Sequence, residues 1–287
     1  RLLMLGVQPV RLQVQYRMHP CLSEFPSKVF YEGTLQNGVT DKHRAPPPGF
    51  RFPWYHPECP MMFYNCAGGQ EEPGASGTSY FNHAEAVTCE KFVTALLRAG
   101  VQPAQIGVIT PYDVQRAYLC SMLRLSPLVG ANNLGIEVAS VDSYQGREKD
   151  YIIMSCVRSS ECRGIGFLSD PRRLNVAITR CRYGLIVIGN ARQLSRHPLW
   201  NALLAHFQSR DCLVEGPLTK LVPCRMRFRH PTRYTYRGAD LAHRLAPAFD
   251  SSTSTTPTSS AATGGSTQTK APKTSAPARL EATAESL

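Results

Sequence analysis

The sequence predicts an α/β fold: a three-layer sandwich with a mainly parallel sheet at its centre, followed by a disordered tail. Three observations carry that expectation. Ile106–Thr110, Tyr151–Val157 and Leu185–Gly189 are short apolar runs rich in β-branched residues and without polar alternation, as in strands covered on both faces. Amphipathic stretches of helical period lie between them, and strands alternating with helices form a parallel sheet flanked by helices. Hydrophobic residues make up 43% of the 287-residue chain and charged residues 18%, enough for a sizeable core.

Along the chain, Gln36–Pro60 carries Pro46-Pro47-Pro48 and reads as loop, and Met61–Cys66 as a weaker strand. Asn82 with Glu85 three residues on forms a capping box; Cys89, Phe92, Val93 and Leu96 then share one helical face, and Gly100 stops the helix. After the strand Ile106–Thr110 come a helix over Tyr112–Leu125 and a second weaker strand, Ile136–Ser140. Tyr151–Val157, a helix over Arg172–Thr179, the strand Leu185–Gly189 and a helix over Pro198–Phe207 complete the pattern. The folded domain is expected over 1–222 and a basic linker over 223–246, where Arg225, Arg227, Arg229, Arg233, Arg237 and Arg244 face only Asp240. The remainder, 247–287, is a disordered tail. Ser and Thr supply more than half of its core stretch Ser251–Ala276, too little apolar surface to offset the entropy of ordering.

Composition excludes several classes. No stretch approaches the ~18 apolar residues of a membrane span, and Arg1–Val10 has neither the form of a secretory signal nor a cleavage site. The first residue is Arg rather than Met, as expected of a fragment. Ten cysteines without C-x-x-C spacing read as reduced, mostly buried thiols rather than a disulfide or zinc framework. Eight scattered histidines offer no H-x-x-x-H pair, so no metal site is expected. The formal charge is +11; in the tail Lys270, Lys273 and Arg279 balance Asp250, Glu281 and Glu285, so the whole excess lies in 1–246. A basic folded portion points toward polyanions, nucleic acid first.

Ligands of open α/β sheets sit at the carboxyl ends of strands, so the polar clusters near strand exits are the candidates. Thr110-Pro111-Tyr112-Asp113-Val114-Gln115-Arg116 follows one strand, and Val141-Asp142-Ser143-Tyr144-Gln145-Gly146-Arg147-Glu148-Lys149-Asp150 another. Arg172-Arg173-Leu174-Asn175-Val176-Ala177-Ile178-Thr179-Arg180-Cys181-Arg182 precedes a third, and Gln13-Val14-Gln15-Tyr16-Arg17-Met18-His19-Pro20 stands near the start. Such side chains grip phosphate or stack on bases. No Gly-Lys dipeptide occurs, so the chain has no G-x-x-x-x-G-K-[ST] phosphate loop, and no Asp-Glu pair occurs to hold a metal.

In this order and spacing, together with Phe30-Tyr31-Glu32-Gly33, Gly77-Thr78-Ser79-Tyr80 and Gly164-Ile165-Gly166-Phe167-Leu168, these clusters resemble the second RecA-like domain of superfamily-1 RNA helicases of the nonsense-mediated-decay type. The resemblance runs from Arg1 to about Val222. It implies a P-loop-type sandwich in which ATP lies between two RecA-like domains, the other one supplying the phosphate loop and most of the Mg2+ site. Arg17 and Arg180 would be the arginines that reach the γ-phosphate, Tyr16 would pack on the adenine, and Glu148 would accept from the sugar hydroxyls. Gln145 and Gly146 would form the turn that brings Glu148 in, and Gln115 and Arg116 would couple nucleotide state to domain closure. Thr110, Tyr112, Val141 and Ser143 would meet single-stranded RNA. The resemblance further implies mRNA surveillance factors as partners, a cytoplasmic site with shuttling to the nucleus, and no ATP hydrolysis by this stretch alone. Two other readings stand beside it: a non-catalytic module binding nucleic acid or a protein partner, and a DNA helicase of the same superfamily.

Overall fold

A computed structural model describes residues 10, 12–75, 77–131, 135–228 and 231–236. Contacts divide the chain into residues 1–246 and 247–287; the second unit, including the expected disordered tail, lies outside the described residues, as do Arg229, Arg237 and Arg244.

The strands are β1 (Val14–Gln15), β2 (Gln36–Asn37), β3 (Met61–Asn65), β4 (Glu71–Pro73), β5 (Tyr80–Asn82), β6 (Ile106–Thr110), β7 (Glu137–Ser140), β8 (Lys149–Ser155), β9 (Cys181–Gly189), β10 (Leu213–Glu215) and β11 (Val222–Pro223). The helices are α1 (Pro20–Phe30), α2 (His83–Arg98), α3 (Asp113–Leu125), α4 (Pro127–Ala131), α5 (Pro171–Ile178), α6 (Ala191–Leu194) and α7 (Pro198–Ser209). Seven strands form one sheet in the order β11-β10-β3-β9-β8-β6-β7, parallel throughout except for β11 at one edge. This is the mainly parallel sandwich the apolar runs predict.

Period-two alternation divides the core between the faces. Phe63, Ile152 and Val187 join α1, α5 and α7 around Phe25, Trp200 and Phe207, whereas Met62, Ile153 and Ile186 join α2 and α3 around Phe92, Leu96 and Leu119. Half of the expected capping box forms: the Asn82 side chain accepts from the Glu85 amide at 3.1 Å and α2 runs to Arg98, but the Asn82 amide donates to Gln115 rather than to Glu85. Two expectations change. Cys21 and Cys59, Cα atoms 5.8 Å apart, form a disulfide that ties the first turn of α1 to the chain before β3, while the other eight cysteines are free thiols. The described part of 223–246 packs on the core rather than leaving it: Cys224 is buried, Met226, Phe228, Tyr234 and Tyr236 lie against the α1–α7 side, and the Tyr236 amide donates to Val29 O at 3.0 Å. Its apolar residues, interleaved with the arginines, explain why a charge count misreads it.

A buried polar network lies at the carboxyl end of β8. Glu85 Oε2 accepts from Ser155 Oγ at 2.7 Å and from the Val157 amide at 2.8 Å, and Asn82 Nδ2 donates to Val157 O at 3.1 Å. Those bonds hold Val157 at φ 70°, a left-handed conformation that β-branched residues rarely adopt. Burial pushes the Glu85 carboxyl up from its ordinary 4.5 to about 7, against the opposing effect of its hydrogen bonds. Between those values the folded state holds a proton that the unfolded state has lost. Stability therefore falls as pH rises from about 4.5 to 7, by about 3 kcal/mol in all from this group. Glu85→Gln, which stays neutral, should flatten that slope, and melting curves at about pH 5 and about pH 8 check it.

Candidate functional site

The sequence-predicted residues fall into two groups at opposite ends of the sheet. Glu148 stands immediately before β8 and Arg180 immediately before β9, at their amino ends, where the Lys149 amide donates to Arg180 O at 3.0 Å. Arg17 arrives in the turn between β1 and α1, fastened to β9 by the His19 amide, which donates to Arg182 O at 2.9 Å. Strand exits are therefore only one of the two places where the candidate residues gather.

At the amino end, Arg17 Nε donates to Glu148 Oε2 at 2.5 Å and its Nη1 to Thr179 O at 3.0 Å. Arg180 reaches the same residue, its Nη2 donating to Thr179 Oγ1 at 3.3 Å while its Nε binds Val176 O at 3.0 Å. The two arginines, distant in sequence, thus meet at Thr179. Arg182 takes the other carboxylate oxygen of Glu148 with Nε and Nη2 at 3.0 and 2.7 Å, and its Nη1 lies 3.4 Å from Asp150. The hydrogen bond from Arg17, joined by that of Arg182, holds the Glu148 carboxyl below its ordinary range. Burial, then the positive charge of Arg17, lowers the Arg180 guanidinium from its ordinary value, as expected where two cations share a partly dry site. Three guanidinium groups thus gather about Glu148 and Asp150, an excess of positive charge that suits a polyanion.

Tyr16 projects beside this cluster, 67% exposed, with its ring lying on Gly38, where any Cβ would overlap it. One face is thereby backed and the other left open. Gln145 and Gly146 form the turn that returns the chain to the amino end, Gly146 at φ 82° as such a turn requires. Arg147 pairs with Glu137 at the start of β7 to fix that turn.

The other expected residues lie elsewhere. Gln115 is fully buried, its side chain exchanging hydrogen bonds with the Asn82 backbone at 2.9 and 3.2 Å and donating to Ser155 Oγ at 3.1 Å. Arg116 pairs with Asp113 on the outside of α3. At the carboxyl ends of β6 and β7, Thr110, Tyr112 and Val141 are buried, so their side chains are not available to a strand; only Ser143 is exposed. The reason is packing: β6 is interior to the sheet, and the Tyr112 ring supports Tyr80 and Phe167 edge to face from below. The surface it supports is a cleft lined by Thr78, Ser79, Asp142, Phe167 and Arg173, with Phe167 exposed and Arg173 4.9 Å over its ring.

Sequence reading names Gln15, Thr179 and Arg182 within its polar clusters but gives them no separate role, and it passes over Gly38 and Arg44. Those two act by lacking a side chain or through backbone carbonyls. Among the described residues no three His, Cys, Asp or Glu side chains come together as a metal site. No described helix is long and apolar enough to cross a membrane.

Comparison with known proteins agrees in one direction. The family described as AAA domain matches residues 1–192. The chain is 60% identical over 234 residues to the regulator of nonsense transcripts 1 homolog of Arabidopsis thaliana, covering 81% of this chain and 18% of that protein. It is 54% identical to the ATP-dependent helicase NAM7 of Saccharomyces cerevisiae, covering 80% and 24%, and 56% identical to the ATP-dependent helicase upf1 of Schizosaccharomyces pombe, covering 77% and 24%. The chain spans about a fifth of the length of the curated relatives it matches.

Proposed function

The chain belongs to the AAA domain family, and on that premise we propose that it is the carboxyl-terminal RecA-like half of an ATP-dependent RNA helicase that acts in nonsense-mediated mRNA decay. The observation that carries the reading is the meeting of Arg17 and Arg180 at Thr179 beside the open ring of Tyr16. The names of the relatives supply the substrate class.

In this mechanism ATP is held against the amino ends of β8 and β9, its phosphates on a loop supplied by another domain. Charge moves onto phosphate oxygens during transfer, and fixed planar guanidinium groups stabilise that distribution more than the ground state. Arg17 is bonded to Glu148 through Nε and to Thr179 through Nη1 in the present arrangement, and its Nη2 is the nitrogen that meets phosphate. Glu148 keeps lone pairs for sugar hydroxyls. Single-stranded RNA crosses the carboxyl-end cleft, where Phe167 offers a stacking face, with the exposed Ser143 hydroxyl beyond its lining, while Thr110, Tyr112 and Val141 act through backbone groups or as support. Gln115 ties α2, α3 and β8 into the unit that moves when the domains close, with Arg116 on its outer surface. The cellular partners are mRNA surveillance factors, met in the cytoplasm.

ATP turnover of the full-length protein, measured with matched single-stranded RNA and DNA, tests the reading. RNA-stimulated turnover is expected; turnover indifferent to RNA would sink it, and stimulation by DNA alone would transfer it to the DNA helicases. Gly38→Ala provides a narrower check. Lifting the Tyr16 ring should weaken binding of a fluorescent ATP analogue roughly tenfold, through lost stacking, and leave inorganic tripolyphosphate binding unchanged.

A further inference from the structure

Arg44 lies in the Gln36–Pro60 stretch, which composition marks only as loop. It is the residue of its turn that is half-buried while Asp41, Lys42, His43 and Ala45 are exposed. Its guanidinium makes no ion pair among the described residues. Nε donates to Arg17 O at 2.7 Å, Nη2 to Tyr16 O at 2.6 Å and Nη1 to His43 O at 3.2 Å, and the group sits 5.6 Å over the Tyr183 ring. A planar fork has therefore been spent on the two consecutive carbonyls of the residues that carry the adenine platform and one phosphate-directed arginine.

The rest of the same segment grips the same stretch. Asn37 Oδ1 accepts from Gln15 Nε2 at 2.7 Å and from Ser23 Oγ at 2.7 Å, Gly38 underlies Tyr16, and Asp41 lies 3.6 Å from His19. Gln15 in turn accepts from the Arg17 and Met18 amides at 2.9 and 2.7 Å. Residues 16–19 have no regular secondary structure of their own; these side chains, with the β1–β2 pairing that ends at Gln15, determine where Tyr16 and Arg17 point.

We propose that Arg44 is a positioning residue of the nucleotide site: it holds the Tyr16 and Arg17 carbonyls so that the ring and the guanidinium face ATP together. This rests on the helicase reading above. Arg44 touches neither phosphate nor base; it acts through Arg17. Lysine would not replace it, because one ammonium cannot present two coplanar donors to adjacent carbonyls.

The test is a double-mutant cycle on ATP turnover in the full-length protein. Arg44→Ala should lower kcat by about 10- to 100-fold, the scale of small misplacements of a catalytic group, with an unchanged melting temperature because neighbouring contacts of the turn remain. Arg44→Lys should recover little, and millimolar guanidinium should restore part of the Arg44→Ala loss. In an Arg17→Ala background, Arg44→Ala should cost almost no further kcat. Full multiplicative losses in the double variant would overturn the proposal, as would wild-type kcat in Arg44→Ala. If Arg17→Ala lowers turnover and Arg44→Ala does not, the positioning role falls and the helicase reading stands. If neither variant changes it, both fall.

Discussion

In the full-length protein, Arg17→Ala and Arg180→Ala should each lower RNA-stimulated ATP turnover by about 10³–10⁵-fold, the usual worth of an arginine that stabilises a transferring phosphoryl group. Both guanidinium groups reach Thr179, so they serve one site from two directions. Groups that act as a unit are not additive, and the double variant should be little worse than either single one. The two losses should also differ in kind. Arg180 bonds to Val176, Thr179 and the Arg147 carbonyl and to no carboxylate, so its removal should spare ATP binding. Arg17 is one of two arginines on Glu148, and its removal leaves that carboxylate to Arg182 alone, which should raise KM as well as lower kcat. Lysine at position 180 should rescue poorly, having no planar pair of donors. Turnover above a tenth of wild type in Arg180→Ala would remove that residue from the chemistry.

Glu71→Ala should destabilise the fold by about 3–5 kcal/mol, the cost of leaving a buried charge unpaired. The Glu71 and Arg158 side chains are 3% and 7% exposed and 2.9 Å apart. Glu71 Oε2 also accepts from the Ser159 and Ser160 amides at 2.8 and 3.2 Å, and Arg158 lies 4.5 Å over the Tyr80 ring with Nη1 on the Tyr112 hydroxyl. Removing the carboxylate strands a guanidinium with nowhere to hydrate. At about 2–4 °C per kcal/mol for a domain of this size, the melting temperature should fall by roughly 6–20 °C. Glu71→Leu combined with Arg158→Met should recover part of that loss, because neither charge is then buried. A double variant less stable than Glu71→Ala would show that the pair itself contributes net stability.

The legible parts of this molecule were those set by short-range physics. Apolar runs flagged the β6, β8 and β9 strands because central parallel strands need no polar face, and the Asn82–Glu85 cap appears where the spacing put it. The arginines of the amino-end cluster were legible by type. Their location was not, because which end of a strand a flanking residue serves depends on which way the chain enters: Glu148 and Arg180 precede their strands, whereas Ser143 follows one. Burial was hidden for the same reason. Tyr112 and Thr110 read as residues at a strand exit, yet both are buried, Tyr112 against Tyr80 and Phe167. Arg44 was invisible in a proline-rich stretch because its bonds go to backbone carbonyls, which every residue has.

The arginine cluster and the Phe167 cleft stand at opposite ends of strands that are paired along both sides. From Lys149 to Ser155, β8 alone spans roughly 20 Å, bonded to β6 on one flank and β9 on the other. Such a girder transmits displacement without bending. On the helicase reading, any tilt that a triphosphate imposes at one end would reappear at the far end as rotation, with the sheet's length as its lever arm.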